Sequence, residues 1–193
     1  VGLGNMGLSH AKAYHALDGF EVVGLCSRSI ETMTGLPDEL SGYAKFSDYA
    51  AALSELKPDA VSINTYSDTH ADFAVQAFEA GAHVFLEKPI AETLEDAQRV
   101  VDAATRLGKK LVVGYILRHH PSWAKLVEVA QGLGKPLVMR MNLNQQSSGA
   151  TWQTHKTLMK TMSPIVDCGV HYVDMMCLMA RAKPVKVHAM GVN

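Results

Sequence analysis

The stretch Gly2-Leu3-Gly4-Asn5-Met6-Gly7, at the start of the chain, has the spacing G-x-G-x-x-G. In a strand–turn–helix unit the first glycine allows a tight turn, the second admits a pyrophosphate close to the backbone, and the third lets the helix pack on the strand. The helix predicted over residues 9–17 would present its first N–H groups to the phosphates. A glycine-rich turn of no special purpose is the alternative, but the predicted strand after this helix favours dinucleotide binding.

Short β-rich runs alternate with helical runs over residues 1–118. Thr93 with Asp96 at the start of one helical run, and Gly108 after its end, are the clearest helix-end signals. Alternation with short turns predicts a doubly wound parallel sheet covered by helices on both faces. The predicted strands cover residues 21–27, 43–46, 59–65, 83–86 and 110–116, and the predicted helices cover 48–56, 68–80 and 93–107.

The pattern changes beyond residue 118. Helices are predicted over 122–129 and 164–179, strands over 137–143 and 185–192, and a polar loop over 145–150. These elements bury little apolar surface by themselves, so we expect residues 119–193 to be the beginning of a second, truncated domain. The first domain also lacks most of a first strand, and we therefore expect the sequence to be an excerpt of a longer protein.

Composition excludes several classes of function. The 193 residues carry a net charge of −1, without the basic excess typical of nucleic-acid or anionic-membrane binding. No apolar run is long enough to span a bilayer. The cysteines Cys26, Cys168 and Cys177 are odd in number and form no C-x-x-C pair, which predicts a reducing, cytoplasmic location without a disulfide framework.

The end of the strand predicted over 21–27 is where a dinucleotide site reads the ribose. NAD enzymes usually carry Asp or Glu there, to accept hydrogen bonds from the 2′-hydroxyl. This chain has Ser27 and Arg28, a hydroxyl donor beside a cation, which favours the 2′-phosphate of NADP. The alternative is that Arg28 is an ordinary surface arginine, so we expect either NADP or NAD, with NADP favoured.

Further segments resemble, in order, motifs of the glucose–fructose oxidoreductase/inositol dehydrogenase (GFO/IDH/MocA) family. The segment from Gly81 to Pro89 matches G-x-x-V-x-x-E-K-P completely, and the segment from Asp167 to Asp174 matches D-x-G-x-H-x-x-D completely. Residues 63–70 resemble a T-P-N-x-x-H loop in which Tyr66-Ser67 replaces Pro-Asn. Residues 113–118 resemble V-G-Y-x-x-R, and residues 184–192 resemble the first strand after the D-x-G-x-H helix.

This resemblance implies a nicotinamide-dependent oxidoreductase that moves a hydride to or from a secondary hydroxyl carbon of a sugar, polyol or related compound. It implies an α/β Rossmann domain followed by an α+β domain with an open, mainly antiparallel sheet, through which family members often form homo-oligomers. Two alternatives remain: an NAD-dependent glycosidase of the same family, and a non-catalytic dinucleotide-binding regulator.

Lys88 follows a predicted strand at its carboxyl end, where open α/β sheets bind ligands. Its ammonium can stabilise an alkoxide as hydride leaves, although a solvated lysine is the plain alternative. Asp167 and His171, spaced i and i+4, share one face of a predicted helix, so the carboxylate can orient an acid–base imidazole. A helix-surface ion pair is the alternative for this couple.

With the resemblance added, the catalytic residues are predicted to be Lys88, Asp167 and His171. The predicted substrate-binding residues are Lys88, Tyr115, Arg118, Asp167 and His171. The predicted cofactor-binding residues are Gly2, Gly4, Asn5, Met6, Gly7, Ser27, Arg28, Thr65, Tyr66, His70, Glu87 and Lys88. The scattered histidines form no H-x-x-x-H or H-E-x-x-H pattern, so no catalytic metal is predicted.

Overall fold

The computed structural model describes residues 1–142, 148–160 and 162–190. The chain divides into two compact units, Val1–Gly114 and Tyr115–Asn193. The sequence prediction places its domain boundary slightly later, after residue 118. No helix of the described part of the chain is both long enough and apolar enough to cross a membrane.

The first unit alternates helices with short strands. Asp48 begins one helix by accepting a hydrogen bond from the Ala51 N–H at 2.7 Å, and Thr93 begins another by accepting from the Asp96 N–H at 3.1 Å. The elements in chain order are α1 (Asn5–Ala16), β1 (Leu25–Cys26), β2 (Lys45–Phe46), α2 (Tyr49–Leu56), β3 (Ala60–Ile63), α3 (His70–Glu79), β4 (His83–Leu86), α4 (Leu94–Arg106) and β5 (Leu111–Val113).

All strand pairs of the first unit are parallel. β1 pairs with β2, and β4 lies between β3 and β5. The backbone of Val1 and Gly2 lies between these two groups: the Gly2 N–H donates to the Cys26 carbonyl at 2.9 Å, and the Asn64 N–H donates to the Val1 carbonyl at 2.9 Å. The order β2–β1–Val1–β3–β4–β5 confirms the predicted doubly wound parallel sheet.

The two faces of this sheet contact different helices. Because side chains alternate along a strand, Ile63, Val84 and Leu86 reach one face, where they form a buried core with residues of α3 and α4. Ser62 and Phe85 reach the other face and meet His10 of α1, whose ring centroid lies 5.0 Å from that of Phe85. Helices therefore cover both faces, as predicted.

The strand predicted over 21–27 is shorter in the structure. Only Leu25 and Cys26 are paired, through their neighbours in β2, while residues 21–24 border a cavity of about 190 Å³ between this segment and β3. A strand exists only where a neighbour completes its hydrogen bonds, and residues 21–24 have none. Among the other predicted strands of this unit, β4 has its predicted bounds, and β2, β3 and β5 are found with trimmed ends.

The second unit is helical in its described residues. Helices α5 and α7 pack on each other around Ala130, Met175 and Met179. The elements are a 3₁₀ turn (Ile116–Arg118), α5 (Pro121–Gly132), α6 (Gly149–Leu158), a π-helical turn (Ile165–Gly169) and α7 (Val170–Ala180).

The strands predicted over 137–143 and 185–192 are not formed in the described residues 137–142 and 185–190. Val138 and Val185 are 99% exposed, and no neighbouring strand accepts their backbone groups. An alternating apolar pattern predicts a strand only on the assumption that such a neighbour exists. The predicted loop over 145–150 ends within α6, which begins at Gly149, and residues 145–147 lie outside the described residues.

Candidate active site

The three glycines of the first motif meet three different environments. Gly2 has φ +80°, and a Cβ there would lie 2.6 Å from the Asn64 carbonyl oxygen; a Cβ at Gly7 would lie 1.8 Å from the Gly2 carbonyl oxygen. A Cβ at Gly4 would meet nothing within 4 Å. The first and third glycines are thus required by the fold, and the second leaves open space above the amino terminus of α1, as an approaching pyrophosphate needs.

Asn5 and Met6 form the first turn of α1 and are exposed. No acidic residue occupies this first turn, and the free N–H groups of a helix start carry partial positive charge. The arrangement of open backbone, helix start and missing Cβ fits a dinucleotide phosphate.

Ser27 and Arg28 follow β1 beside the glycine loop. The hydrogen bond from the Gly2 N–H to the Cys26 carbonyl places Gly2 next to this strand end, and the Ser27 N–H donates to Phe46 at 3.0 Å. Arg28 is exposed, and the Ser27 Oγ lies 3.3 Å from the Ser29 Oγ. A hydroxyl and a cation therefore lie at the carboxyl end of β1, beside the glycine loop.

The loop after β3 brings Thr65 to the same edge, and Tyr66 is 56% exposed there. His70 is 1% exposed, with Nδ1 2.7 Å from the Pro89 carbonyl oxygen and Nε2 3.1 Å from the Thr65 carbonyl oxygen. Both ring nitrogens of His70 are therefore engaged by backbone. The ring thereby joins the loop after β3, at Thr65, to the loop after β4, at Pro89.

Glu87 and Lys88 follow β4 at the same edge. Glu87 is 7% exposed, and its Oε1 lies 3.1 Å from Nε2 of His10 on α1. Its Oε2 accepts a hydrogen bond from the Lys88 N–H at 3.2 Å. The carboxylate thus contacts the helix that follows the glycine loop, and Lys88 comes directly after it, partly exposed.

Burial raises the pKa of Glu87, but the His10 side chain, the Lys88 N–H and the Lys88 charge together outweigh it and hold the pKa below its ordinary value of 4.5. Glu87 is therefore a carboxylate at neutral pH. A buried carboxylate needs compensating donors, and the structure supplies them from α1 and from the next residue.

In the second unit, Tyr115 and Arg118 lie beside α7. The ring centroids of Tyr115 and His171 are 6.2 Å apart with an interplanar angle of 85°. Arg118 lies over the Tyr115 ring at 5.5 Å and holds Asp174 in a two-point pair, with Nε 2.8 Å from Oδ2. Asp174 raises the pKa of Arg118, so the predicted substrate-binding arginine already has a carboxylate partner within its own unit.

Asp167 is 7% exposed and lies in the π-helical turn Ile165–Gly169, whereas His171 lies in the first turn of α7. The helix predicted over 164–179 is therefore wound more widely at its start, and the i, i+4 argument, which assumes an uninterrupted α-helix, does not apply as stated. The Cys168 thiol donates to Asp167 Oδ2 at 3.4 Å. Single π turns are frequent at functional sites of proteins.

Within residues 1–142, 148–160 and 162–190, no group of three or more His, Cys, Asp or Glu side chains is arranged to hold a metal ion.

Two residues of this region cannot be predicted from the sequence pattern. His10 touches Glu87, and Gly114 gives that carboxylate room, since a Cβ at Gly114 would lie 3.1 Å from Glu87 Oε1. Residues so far apart in the chain show no spacing signal. The available hint is that His10 falls one turn after Gly7, on the face of α1 that also carries buried Ala11.

Comparison with known proteins shows which family this chain resembles. Residues 1–115 match the profile of the GFO/IDH/MocA oxidoreductase family, described as having an NAD-binding Rossmann fold. An inositol 2-dehydrogenase of Salmonella paratyphi B is 29% identical over 181 residues, covering 91% of this chain and 52% of its own length. A D-glucoside 3-dehydrogenase of Escherichia coli is 31% identical over 169 residues, covering 86% of this chain and 48% of its own.

A crystal structure of scyllo-inositol dehydrogenase from Lactobacillus casei, with bound NAD(H) and scyllo-inositol, has the same fold, with a TM-score of 0.75 at 21% identity. It covers 93% of this chain, which covers 54% of that one. The chain thus spans about half the length of the curated relatives and solved structures that it matches.

Proposed function

The chain belongs to the GFO/IDH/MocA family of oxidoreductases, and on that basis we propose that it is part of an NAD(P)-dependent dehydrogenase acting on a secondary hydroxyl of a sugar or polyol. One observation carries the proposal. The open glycine loop, with its space at Gly4, and Lys88 lie at the same carboxyl edge of one parallel sheet. That edge is where open α/β sheets bind ligands.

The nicotinamide cofactor would supply the hydride acceptor, and the residues of the glycine loop would hold its pyrophosphate. Lys88 would donate a hydrogen bond to the reacting oxygen and stabilise negative charge on it. His171 would accept the hydroxyl proton, and Asp167 would bind a substrate hydroxyl. Tyr115 lies against His171 and would limit the orientations available to its ring.

The substrate class comes from the relatives. Their names specify dehydrogenation of an inositol at position 2 and of a glucoside at position 3, and the Lactobacillus casei enzyme was crystallised with scyllo-inositol. These compounds share a ring with several secondary hydroxyl groups. We therefore expect this protein to oxidise one such hydroxyl, or to reduce the matching ketone.

Lys88→Ala tests the catalytic assignment. We expect turnover to fall roughly 10²- to 10⁴-fold, the range for loss of a positioned acid–base group, while dinucleotide affinity is retained. The measurement is steady-state reduction of cofactor with a panel of inositols and glycosides, using full-length protein. Lys110→Ala is the matched control, because Lys110 comes directly before β5 and so lies at the other edge of the sheet from Lys88. Equal turnover in wild type and Lys88→Ala contradicts the assigned role.

A titration with NADPH and NADH, followed by nicotinamide fluorescence, tests the cofactor. Ser27 and Arg28 support tighter binding of NADPH, because a cation beside the ribose favours its 2′-phosphate. We expect Arg28→Ala to weaken NADPH roughly 10-fold or more and to leave NADH unchanged. Tighter NADH binding by wild type would keep the dinucleotide site and reject the NADP preference.

The same assays separate the two alternatives. An NAD-dependent glycosidase would cleave a glycoside without net reduction of cofactor, and a regulator would bind dinucleotide without turnover of any substrate. Lys88, Asp167 and His171 support an enzyme, because a dinucleotide sensor needs no acid–base set.

A cytoplasmic location and assembly as a homo-oligomer belong to the proposal as well. Cys26, Cys168 and Cys177 form no disulfide in the described part of the chain, as a reducing compartment favours. Light scattering of the full-length protein during size-exclusion chromatography measures its assembly directly.

A further inference from the structure

Glu87 belongs to a polar chain of side chains that joins three segments of the first unit. The Asn64 amide donates to Ser62 Oγ at 3.1 Å, Ser62 Oγ lies 3.2 Å from His10 Nδ1, and His10 Nε2 lies 3.1 Å from Glu87 Oε1. Glu87 Oε2 then accepts from the Lys88 N–H at 3.2 Å. The chain runs from the end of β3, through α1, to the residue after β4.

For a neutral His10 imidazole, the donors and acceptors of this polar chain can be assigned in one direction. A carboxylate only accepts, so the His10 nitrogen that faces Glu87 carries a proton. With the imidazole neutral, its other nitrogen accepts from the Ser62 hydroxyl, which is free to donate because it accepts from Asn64. Each contact therefore limits the orientations open to the next group of the chain.

The surroundings leave the Glu87 carboxylate little freedom. The side chain of Glu87 is 9% exposed and that of His10 is 15% exposed. The His10 ring meets Phe85 edge-on at 5.0 Å between centroids. Gly114 closes the other side, because a Cβ at this position would lie 3.1–3.2 Å from the carboxylate atoms. The carboxylate fits only where Gly114 lacks a side chain and His10 faces it.

We propose that His10 is a positioning residue: through Glu87, it fixes the backbone at Lys88 and so places the Lys88 ammonium for hydride transfer. The inference rests on the proposed function in its use of Lys88. It assigns Glu87 to the alignment of Lys88, in place of direct contact with the cofactor. It also links the helix that follows the glycine loop to the catalytic lysine, so that one element serves both.

The proposal predicts how an altered His10 behaves. His10→Phe keeps a ring against Phe85 and removes both polar contacts. We expect kcat to fall roughly 100-fold, the effect of displacing a reacting group by about 1 Å, with dinucleotide affinity retained. His10→Gln, whose amide can donate to Glu87, should recover part of the loss. His15→Phe is the matched control, since His15 lies on the exposed side of α1 against Tyr43.

A double mutant asks whether His10 acts through Glu87. If the two residues form one unit, His10→Phe combined with Glu87→Gln lowers kcat no further than the more severe single change. If the fold-losses in kcat of the two single variants multiply in the double mutant, the two residues act independently and the inference is overturned. A fall in kcat accompanied by an equal loss of dinucleotide affinity would also overturn it, since that result describes a damaged fold.

A readout that needs no turnover separates this inference from the proposed function. Lysines of the full-length protein are dimethylated with ¹³C, and the Lys88 signal is assigned by its loss in Lys88→Arg. We expect the Lys88 signal to shift in His10→Phe and in Glu87→Gln, and to stay in place in His15→Phe. An unmoved signal rejects the positioning role even if the protein is an active dehydrogenase. If wild type oxidises no polyol, the proposed function fails and this signal alone decides whether His10 positions Lys88.

Discussion

Gly4 and Gly7 lie three residues apart in one motif, yet they meet opposite surroundings. The open space at Gly4 means that Gly4→Ala should fold normally and bind dinucleotide poorly, because the added methyl group occupies the path of the pyrophosphate. Gly7→Ala would press a methyl group into the Gly2 carbonyl and should cost about 1–3 kcal/mol of stability or more. Thermal unfolding and nucleotide titration of both variants measure the two effects.

Comparable thermal midpoints for the two alanine variants would contradict this division of roles. Undiminished dinucleotide binding by a folded Gly4→Ala variant would count against the proposed position of the phosphate.

Single residues of the candidate site differ in how well the sequence predicts them. Lys88 and the glycines stand in short motifs whose chemistry explains their spacing. His10 pairs with Glu87 across 77 positions, and only the folded sheet brings them together. His70 resembles a cofactor ligand in the sequence, but both of its nitrogens contact backbone carbonyls, a use that no motif reveals.

At the scale of the element, α4 has the most clearly defined start. Thr93 accepts from the Asp96 N–H, and its hydroxyl donates to the Asp96 carboxylate at 2.9 Å. Thr93→Ala should lower the free energy of unfolding by about 1 kcal/mol, as measured by urea denaturation. Thr105→Ala is the control on the same helix: its hydroxyl bonds only to the Val101 carbonyl, and we expect a change below about 0.5 kcal/mol.

The helices of the first unit that have a side-chain cap follow their end signals closely, because caps are local. Helix α1 has no such cap, and it begins at Asn5 instead of the predicted residue 9. The sequence predicts a helix over 93–107, and the structure has Leu94–Arg106 between Thr93 and Leu107. Strands depend on neighbours from distant parts of the chain. β4 lies between two paired strands and matches its predicted bounds. β1 has β2 on one side and, on the other, only the hydrogen bond from the Gly2 N–H to the Cys26 carbonyl, and it keeps two residues.

At the scale of the whole molecule, lowering the pH should reduce the stability of the first unit, because Glu87 becomes protonated. Its pKa in the folded protein lies below the ordinary value of 4.5, so its contribution to stability is present above about pH 4.5 and is lost as the pH falls through the folded pKa. We expect denaturation curves of the wild-type protein to show this loss and Glu87→Gln to show a shallower slope.

Glu39, whose own backbone N–H lowers its pKa, and Asp96, whose pKa is lowered by the Thr93 hydroxyl, remain in both proteins and contribute to the residual slope. An unchanged slope in Glu87→Gln would show that its carboxylate gains no stabilising partner on folding.

The two units differ in how far the sequence predicts them. Regular alternation over the first unit specifies a parallel sheet, and the structure contains it. In the second unit, the predicted strands depend on a sheet whose partners are absent from the described residues, and the helix over 164–179 contains a π turn that no residue pattern announces. A sequence pattern therefore predicts helices, which complete their own hydrogen bonds, more accurately than strands, which need a neighbouring strand.

The contrast between Gly4 and Gly7 has an evolutionary consequence. A descendant of this protein that abandoned nucleotide chemistry would still need Gly2 and Gly7 to build its first turn, but selection on Gly4 would lapse, because the fold has no use for the space there. The middle glycine is therefore the position at which mutations should accumulate first. Among relatives, its replacement while the outer two persist would mark lineages that kept the architecture and lost the cofactor.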